Sequence, residues 1–322
     1  MPEALTKSKF QWLGIGFLIA VALIVLVVVI DRFNASQYQL ATTHSTVPST
    51  PILTTKGITD IELPKELTIF GEPMPLDNWD IRERFEREFY YNWNNASQIV
   101  IWWQRSGRYF AGIEKMLRDA GLPTDLEYLA IAESGLANVK SPANANGFWQ
   151  FIPQTAQRFG LRVDDLIDER LDPVKSTRAA VAYLKYMRSL LPSWTLVAAG
   201  YNMGEDNVAQ ALQWQHAGSY WDLFVNDETM RYVFRIAAIK ELITHADRYG
   251  LNLSKLTPYR MPQVRYVAVR GPIASIADWA YSQGYLYKDI KVLNPWLIGR
   301  SIPSGTYNIA VPSTDEDRAA PK

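Results

Sequence analysis

A mainly helical body with one small β element, a small α+β module behind it and a transmembrane helix in front is the fold class this sequence predicts. Three observations predict it. Apolar residues recur at helical spacing from about Leu76 to Gly250, punctuated by helix start and stop signals. At Arg265 the pattern changes to strand, helix, helix, strand. Near the beginning, Trp12 to Ile30 is an unbroken apolar run closed by Asp31 and Arg32.

That run holds about 19 residues and would measure ~28 Å at ~1.5 Å each, close to the ~30 Å hydrocarbon core of a bilayer. Lys7 and Lys9 precede it, which favours a cytoplasmic start and places the remainder outside the cytoplasmic membrane. A cleaved signal peptide is the rival. Its apolar region is normally shorter and ends at a small-x-small site, and Asp31 to Ser36 is a poor one. Residues 1–32 are therefore expected to be an uncleaved single-pass anchor. Residues 33–75, rich in Thr, Ser and Pro and without sustained periodicity, read as a flexible linker.

Residues 76–250 form the predicted helical body. Asp80 to Tyr91 reads as a charged amphipathic helix, Ser97 to Trp103 as a more apolar one, and Arg108 to Ala120 as a third, stopped by Gly121-Leu122-Pro123. Thr124-Asp125 would cap a helix ending at Glu133. Lys140 to Gly147 is loop, and Phe148 to Ile152 reads as a short strand, with at most a hairpin around Ala143 to Phe151. Pro153 opens a helix that Gly160 stops. Asp172-Pro173, a cap followed by proline at the first helical position, opens one that runs to Leu191. Trp194 to Tyr201, Asp206 to Gln213 and Glu228 to Tyr249 complete the body. Residues 251–264 read as a second linker. In 265–312, Tyr266 to Val269 alternates as a strand does, Ile273 to Tyr281 and Tyr287 to Leu293 are helical, and Tyr307 to Val311 closes the module. Residues 313–322 are a tail.

Composition excludes several functions. Lys+Arg and Asp+Glu both number 33, so the chain lacks the basic excess of a nucleic-acid binder. With no cysteine there is no disulfide, thiolate metal site, Cys nucleophile or Cys-linked lipid. His44, His216 and His245 show no metal-ligand spacing, and no cofactor is expected. Eleven Trp and 17 Tyr suit sugar stacking, although core packing and a membrane-interface belt account for most of them. Trp149 is open to either reading.

One residue carries the chemistry. Leu126, Leu129 and Ala130 lie seven, four and three positions before Glu133, so all four share a helix face. A carboxylate at the end of an apolar stripe is costly to ionise, and its pKa should rise. A carboxyl still protonated near neutral pH is what a general acid requires. Downstream stand Gly147-Phe148-Trp149-Gln150-Phe151 and Gly200-Tyr201-Asn202-Met203-Gly204.

In this order and spacing, the Glu133-Ser134 segment and the two that follow resemble the signature of the lytic transglycosylases, the goose-lysozyme-like (SLT) enzymes that cleave peptidoglycan. The resemblance runs from about Arg108 to Gly250. It is closest to the membrane-bound type D group, because residues 265–312 resemble a degenerate LysM module, with Gly271-Pro272 where family members carry Gly-Asp. It implies a lysozyme-like helical domain and an extracytoplasmic (periplasmic) enzyme with peptidoglycan glycan strands as its partner. It also implies that Glu133 is the sole acid and base. An ordinary glycosidase needs two carboxylates. Asp164, Asp165, Asp168, Glu169 and Asp172 lie far along the chain, and Asp172 is better explained as a cap. By carry-over, Ser134 hydrogen-bonds within the site, Gln150 lines the cleft, Tyr201 hydrogen-bonds the catalytic carboxylate and Asn202 contacts sugar. Tyr232, in a fourth segment with Glu228-Thr229, closes one side of the cleft. A hydrolytic muramidase of the same fold and a non-catalytic wall-binding scaffold are the alternatives left open.

Overall fold

The computed structural model describes Gly57 and residues 60–319. The expected anchor (1–32) and most of the expected linker (33–75) lie outside the described residues. Among the described residues, no helix is long and apolar enough to cross a membrane.

The chain enters through a hairpin, β1 (Leu67–Ile69) and β2 (Glu72–Met74), with Leu67 opposite Met74. This shortens the expected linker. Leu67, Ile69, Phe70 and Met74 are all buried in the main core, and three-residue strands are too short to stand out beside a Thr- and Pro-rich stretch. The Glu72 carboxylate accepts from the Trp194 and Thr195 amides at 2.5 and 3.0 Å. It thus covers orphan N–H groups at the start of a helix far along the chain.

Two helices follow, α1 (Trp79–Asn94), capped by Asn78, and α2 (Ala96–Asp119). The sequence suggested a break near Ser106-Gly107, but α2 is continuous. A helical glycine costs only ~1 kcal/mol, and here its missing side chain makes room. A Cβ on Gly107 would lie 2.3 Å from the Pro258 side chain. The Tyr259 amide also donates to the Gln104 carbonyl at 2.8 Å. Residues 251–264, read as a linker, are therefore a strap along α2.

A 3-10 turn at Thr124–Leu126 leads into α3 (Glu127–Ser134). Asp125 does not cap it. Its carboxylate accepts from the Phe70 amide at 3.0 Å and from Lys240 at 2.6 Å, tying the hairpin to a later helix. Then come α4 (Pro153–Arg158), α5 (Pro173–Leu190), α6 (Trp194–Met203), α7 (Glu205–Gln215) and α8 (Asp227–Thr244). Asp172 caps α5 as expected. Gly204, not Asp206, stands at the cap position before α7. Helix α8 ends earlier than expected and passes into a 3-10 turn at Ala246–Tyr249. It is the central element, with α1, α3 and α6 packed on it and Val233, Ile236, Ile239 and Leu242 fully buried.

The last part is β3 (Val264–Ile273), α9 (Ile276–Ser282), α10 (Tyr287–Leu293) and β4 (Ile302–Pro312), the two strands antiparallel from Val264–Pro312 to Ile273–Ile302. This is the β-α-α-β order of the sequence. Its own core holds Val269, Ile276, Ile290, Leu297 and Ile309, and Ile167 of the helical body is buried in that same core. Around Ile167 the two parts share backbone hydrogen bonds. The Ile298 and Gly299 amides donate to the Leu166 carbonyl at 3.0 and 3.1 Å, and the Asp168 amide donates to the Trp296 carbonyl at 2.8 Å.

Glu127, at the start of α3, is 5% exposed and one of its carboxyl oxygens lacks a hydrogen-bond partner. Burial, then Glu114 and Asp125, push its pKa from 4.5 up to about 9 against the pull of Arg118. Between those values the native state holds a proton that the unfolded chain releases, so stability falls as pH rises through that window. Glu127→Gln removes the cost of holding that proton. It should raise unfolding stability by on the order of 2–3 kcal/mol at pH 7 and flatten the pH dependence of urea melts. Parallel wild-type and variant profiles from pH 5 to 9 would contradict this.

Candidate active site

Helix α3 places Glu133 one residue from its C-terminal end. Leu126, Leu129 and Ala130, on the same face, are fully buried, so the carboxyl emerges from an apolar stripe. Gly135 ends the helix in the left-handed conformation at φ 60°, and Arg105 donates to the Gly135 carbonyl at 2.8 Å. That cation sits at the negative end of the helix.

The Tyr232 hydroxyl, from α8, donates to Glu133 Oε1. Burial drives the Glu133 pKa from 4.5 to about 7; the Tyr232 hydrogen bond and the charge of Arg235 pull it down, and Glu228 pushes it up. At neutral pH a large fraction of Glu133 therefore carries its proton. Arg235 holds Glu228 through two contacts at 2.8 and 3.1 Å. Glu228 thus influences Glu133 by charge while committed to an ion pair.

Tyr201 occupies a different place from the one expected. Its hydroxyl donates to the Trp149 carbonyl at 2.6 Å, and Tyr232 makes the bond to the carboxylate that Tyr201 was expected to make. Tyr201 still lies within the field of Glu133. Burial, and then the charge of Glu133, raise its pKa well above 10. Sequence could not assign these roles, because both tyrosines come from helices that reach Glu133 only through the tertiary fold.

Two of the remaining expected residues, Ser134 and Gln150, make their bonds at the loop between α3 and α4. The Ser134 hydroxyl lies 2.8 Å from the Phe148 carbonyl and 3.1 Å from Ala130 O, fastening loop to helix. Gln150 does not sit in a strand. The loop has only isolated bridges, Lys140–Asn146 and Asn146–Phe151, and Gln150 itself has φ 46°. Its Nε2 donates to the Val139 and Gly147 carbonyls at 2.8 and 2.7 Å. What it can offer a sugar hydroxyl is its amide oxygen, an acceptor. Asn202 is complementary. Its Oδ1 accepts from the buried Thr229 hydroxyl at 2.6 Å, which leaves its amide N–H groups as donors. Trp149 is fully buried and donates to Thr177 at 3.0 Å, so the structure resolves it as core.

Arg170 gave no signal in the sequence. It is buried, grips both Asp168 oxygens at 2.9 and 2.7 Å, and donates to the Asn144 and Phe151 carbonyls at 2.7 and 2.9 Å. Asn146 adds a bond to Asp168 at 3.0 Å. The loop passes so close that a Cβ on Gly147 would meet the Arg170 carbonyl at 1.9 Å, and Gly147 has φ 79°. Only glycine fits both constraints. Four of the five downstream carboxylates are likewise engaged. Asp164 pairs with Arg162, Asp168 with Arg170, and Glu169 with Lys175, while Asp172 caps α5.

Residues 111–224 match the transglycosylase SLT domain, and residues 265–315 match the C-terminal LysM-like domain of soluble lytic transglycosylases. Over 249 residues the chain is 29% identical to the membrane-bound lytic murein transglycosylase D of Escherichia coli K12, covering 75% of this chain and 54% of that protein. The chain thus spans about half the length of the curated relatives it matches. The solved 70 kDa soluble lytic transglycosylase of Escherichia coli shares 19% identity over 51% of this chain and 31% of its own, with a TM-score of 0.37. An inactive mutant of the lytic transglycosylase Slt from Pseudomonas aeruginosa shares 20% over 44% and 25%, with a TM-score of 0.36. The chain thus carries an SLT transglycosylase domain followed by a LysM-like domain of the kind found at the C-terminus of soluble lytic transglycosylases.

Proposed function

We propose that this protein is a peptidoglycan lytic transglycosylase, acting outside the cytoplasmic membrane, that breaks the β-1,4 bond between N-acetylmuramic acid and N-acetylglucosamine. The observation that carries the reading is Glu133, a carboxyl at the end of an apolar stripe whose pKa burial raises to about 7 and whose oxygen accepts from the Tyr232 hydroxyl.

Glu133 donates its proton to the glycosidic oxygen as the bond from the muramoyl C1 to that oxygen breaks. The substrate's own N-acetyl oxygen stabilises the oxocarbenium-like centre, as in substrate-assisted glycosidases. The Glu133 carboxylate, now stabilised by the Tyr232 hydroxyl, takes the proton from the muramoyl 6-hydroxyl. O6 closes on C1, giving a 1,6-anhydro end and restoring protonated Glu133. No water is consumed and no second protein carboxylate is used, which accords with the commitment of Glu228 and Asp168 to arginines.

Mass spectrometry of the soluble products tests this. Anhydromuropeptides, one water lighter than their hydrolytic counterparts, are the expected products. Reducing ends would instead establish a muramidase, and no release would favour a wall-binding scaffold.

The pH profile provides a separate test. The first step needs the proton on Glu133, so kcat/KM should fall as pH rises through about 7. Tyr232→Phe removes a hydrogen bond that favours the anion. Its descending limb should move to higher pH, alongside a slower maximum rate. A limb that stays in place would separate Tyr232 from the acid's titration.

A further inference from the structure

A cavity of about 620 Å³ lies between the helical domain and the LysM-like module, outside the Glu133 site. Its volume falls in the ~300–1,000 Å³ range of ordinary ligand sites. Its walls carry three cations, Arg108, Lys175 and Arg178, against one carboxylate, Asp172. Asp172 is engaged by the Val174 and Lys175 amides at the start of α5. Lys175 is paired with Glu169 at 2.5 Å. The two arginines differ. Arg178 is exposed and has no ion-pair partner among the described residues. Arg108 donates to the Arg260 carbonyl at 3.0 Å and lies 5.3 Å from the Tyr259 ring, again with no carboxylate partner among the described residues. The cavity therefore offers two unneutralised guanidinium groups beside aromatic walls.

It also borders the catalytic loop. Asn138, which lines it, donates to the Leu171 carbonyl at 3.0 Å. The next residue, Val139, accepts the Gln150 amide at 2.8 Å. Tyr109, on the same wall, meets Phe148 edge-on at 4.7 Å. A substituent on a sugar held near Gln150 has the cavity on the other side of one loop.

We propose that this cavity receives the peptide stem of peptidoglycan, with Arg178 and Arg108 pairing with stem carboxylates. The proposal rests on the substrate class assigned above. The glycan backbone is a poor match for the charge, because where a stem is attached the lactyl carboxyl of the muramoyl group is taken up in the amide bond and the sugars themselves are neutral. The stems supply carboxylates, which arginine forks bind with charge-assisted hydrogen bonds.

The test is equilibrium binding of the full chain, with Glu133→Gln as the parent so that fragments stay uncleaved, to soluble glycan fragments of matched length, either with stems intact or stripped by an amidase, which leaves a single lactyl carboxylate on each muramoyl group in place of the several carboxylates of a stem. This parent should bind the stem-bearing fragments about tenfold tighter, the scale of one or two charge-assisted contacts, and added salt should erode the gap. Arg178→Glu should abolish the preference, and Arg178→Lys should keep most of it. Arg178→Glu combined with Arg108→Gln should reverse it. Equal affinities in the parent, or an unchanged ratio when Arg178→Glu is added to it, would overturn the proposal. Because binding is read without cleavage, a parent that discriminates stems beside a wild type that releases no product would refute the transglycosylase reading and leave this one standing.

Discussion

Glu133→Gln should lower the release of soluble muropeptides by about 10²–10⁴-fold, the usual contribution of a positioned general acid. The variant should remain folded, since a glutamine oxygen can still accept from Tyr232, and an amide does not need a proton to remain neutral when desolvated. The mechanism uses one carboxyl in both halves of the reaction, so no other group should restore activity at any pH. Product release followed by mass, beside thermal melts of both proteins, checks the claim. Wild-type rates in Glu133→Gln would remove Glu133 from the chemistry and leave its raised pKa as a feature of burial alone.

The largest effect on stability should come from Arg170→Met. Its guanidinium satisfies Asp168, Asn144 and Phe151 at once, and both charges of the pair are buried. Removing the cation leaves Asp168 charged and desolvated, which typically costs about 3–5 kcal/mol. A domain of this size should lose roughly 10 °C in Tm or more. Asp168→Leu combined with Arg170→Met should recover much of that loss, because the penalty lies in the orphaned charge more than in the missing attraction. The double variant should nevertheless remain slow. The carbonyls of Asn144 and Phe151, on either side of Gln150, stay without their donor, and the loop loses its clamp. Additive losses in the double variant would show that the two side chains act independently.

The helices were legible because their signals are local. Asp172-Pro173, Gly121-Leu122-Pro123 and the seven-four-three spacing before Glu133 each act within a turn or two. Where the reading failed, a distant contact had overridden a local signal. Gly107 looks like a break until Pro258 is seen to rest on it. Asp125 has the composition of a cap but is drawn to Phe70 and Lys240. The apolar run Phe148 to Ile152 suggests a strand, but its residues fasten a loop to its surroundings. Within the site, sequence order alone did not say which bonds the side chains make. Tyr232 makes the bond expected of Tyr201, which holds the Trp149 carbonyl instead, and Arg170 escaped notice because nothing in Asp168-Glu169-Arg170 distinguishes a buried clamp from a solvated pair.

Asp168 joins two parts of the molecule through its two ends. Its amide holds the Trp296 carbonyl of the LysM-like module, and its carboxylate holds the arginine that braces the Gln150 loop. The module is therefore a ruler rather than a leash. A strand gripped by it would meet Glu133 at a fixed register, and the lengths of the fragments released would report the distance between grip and cut.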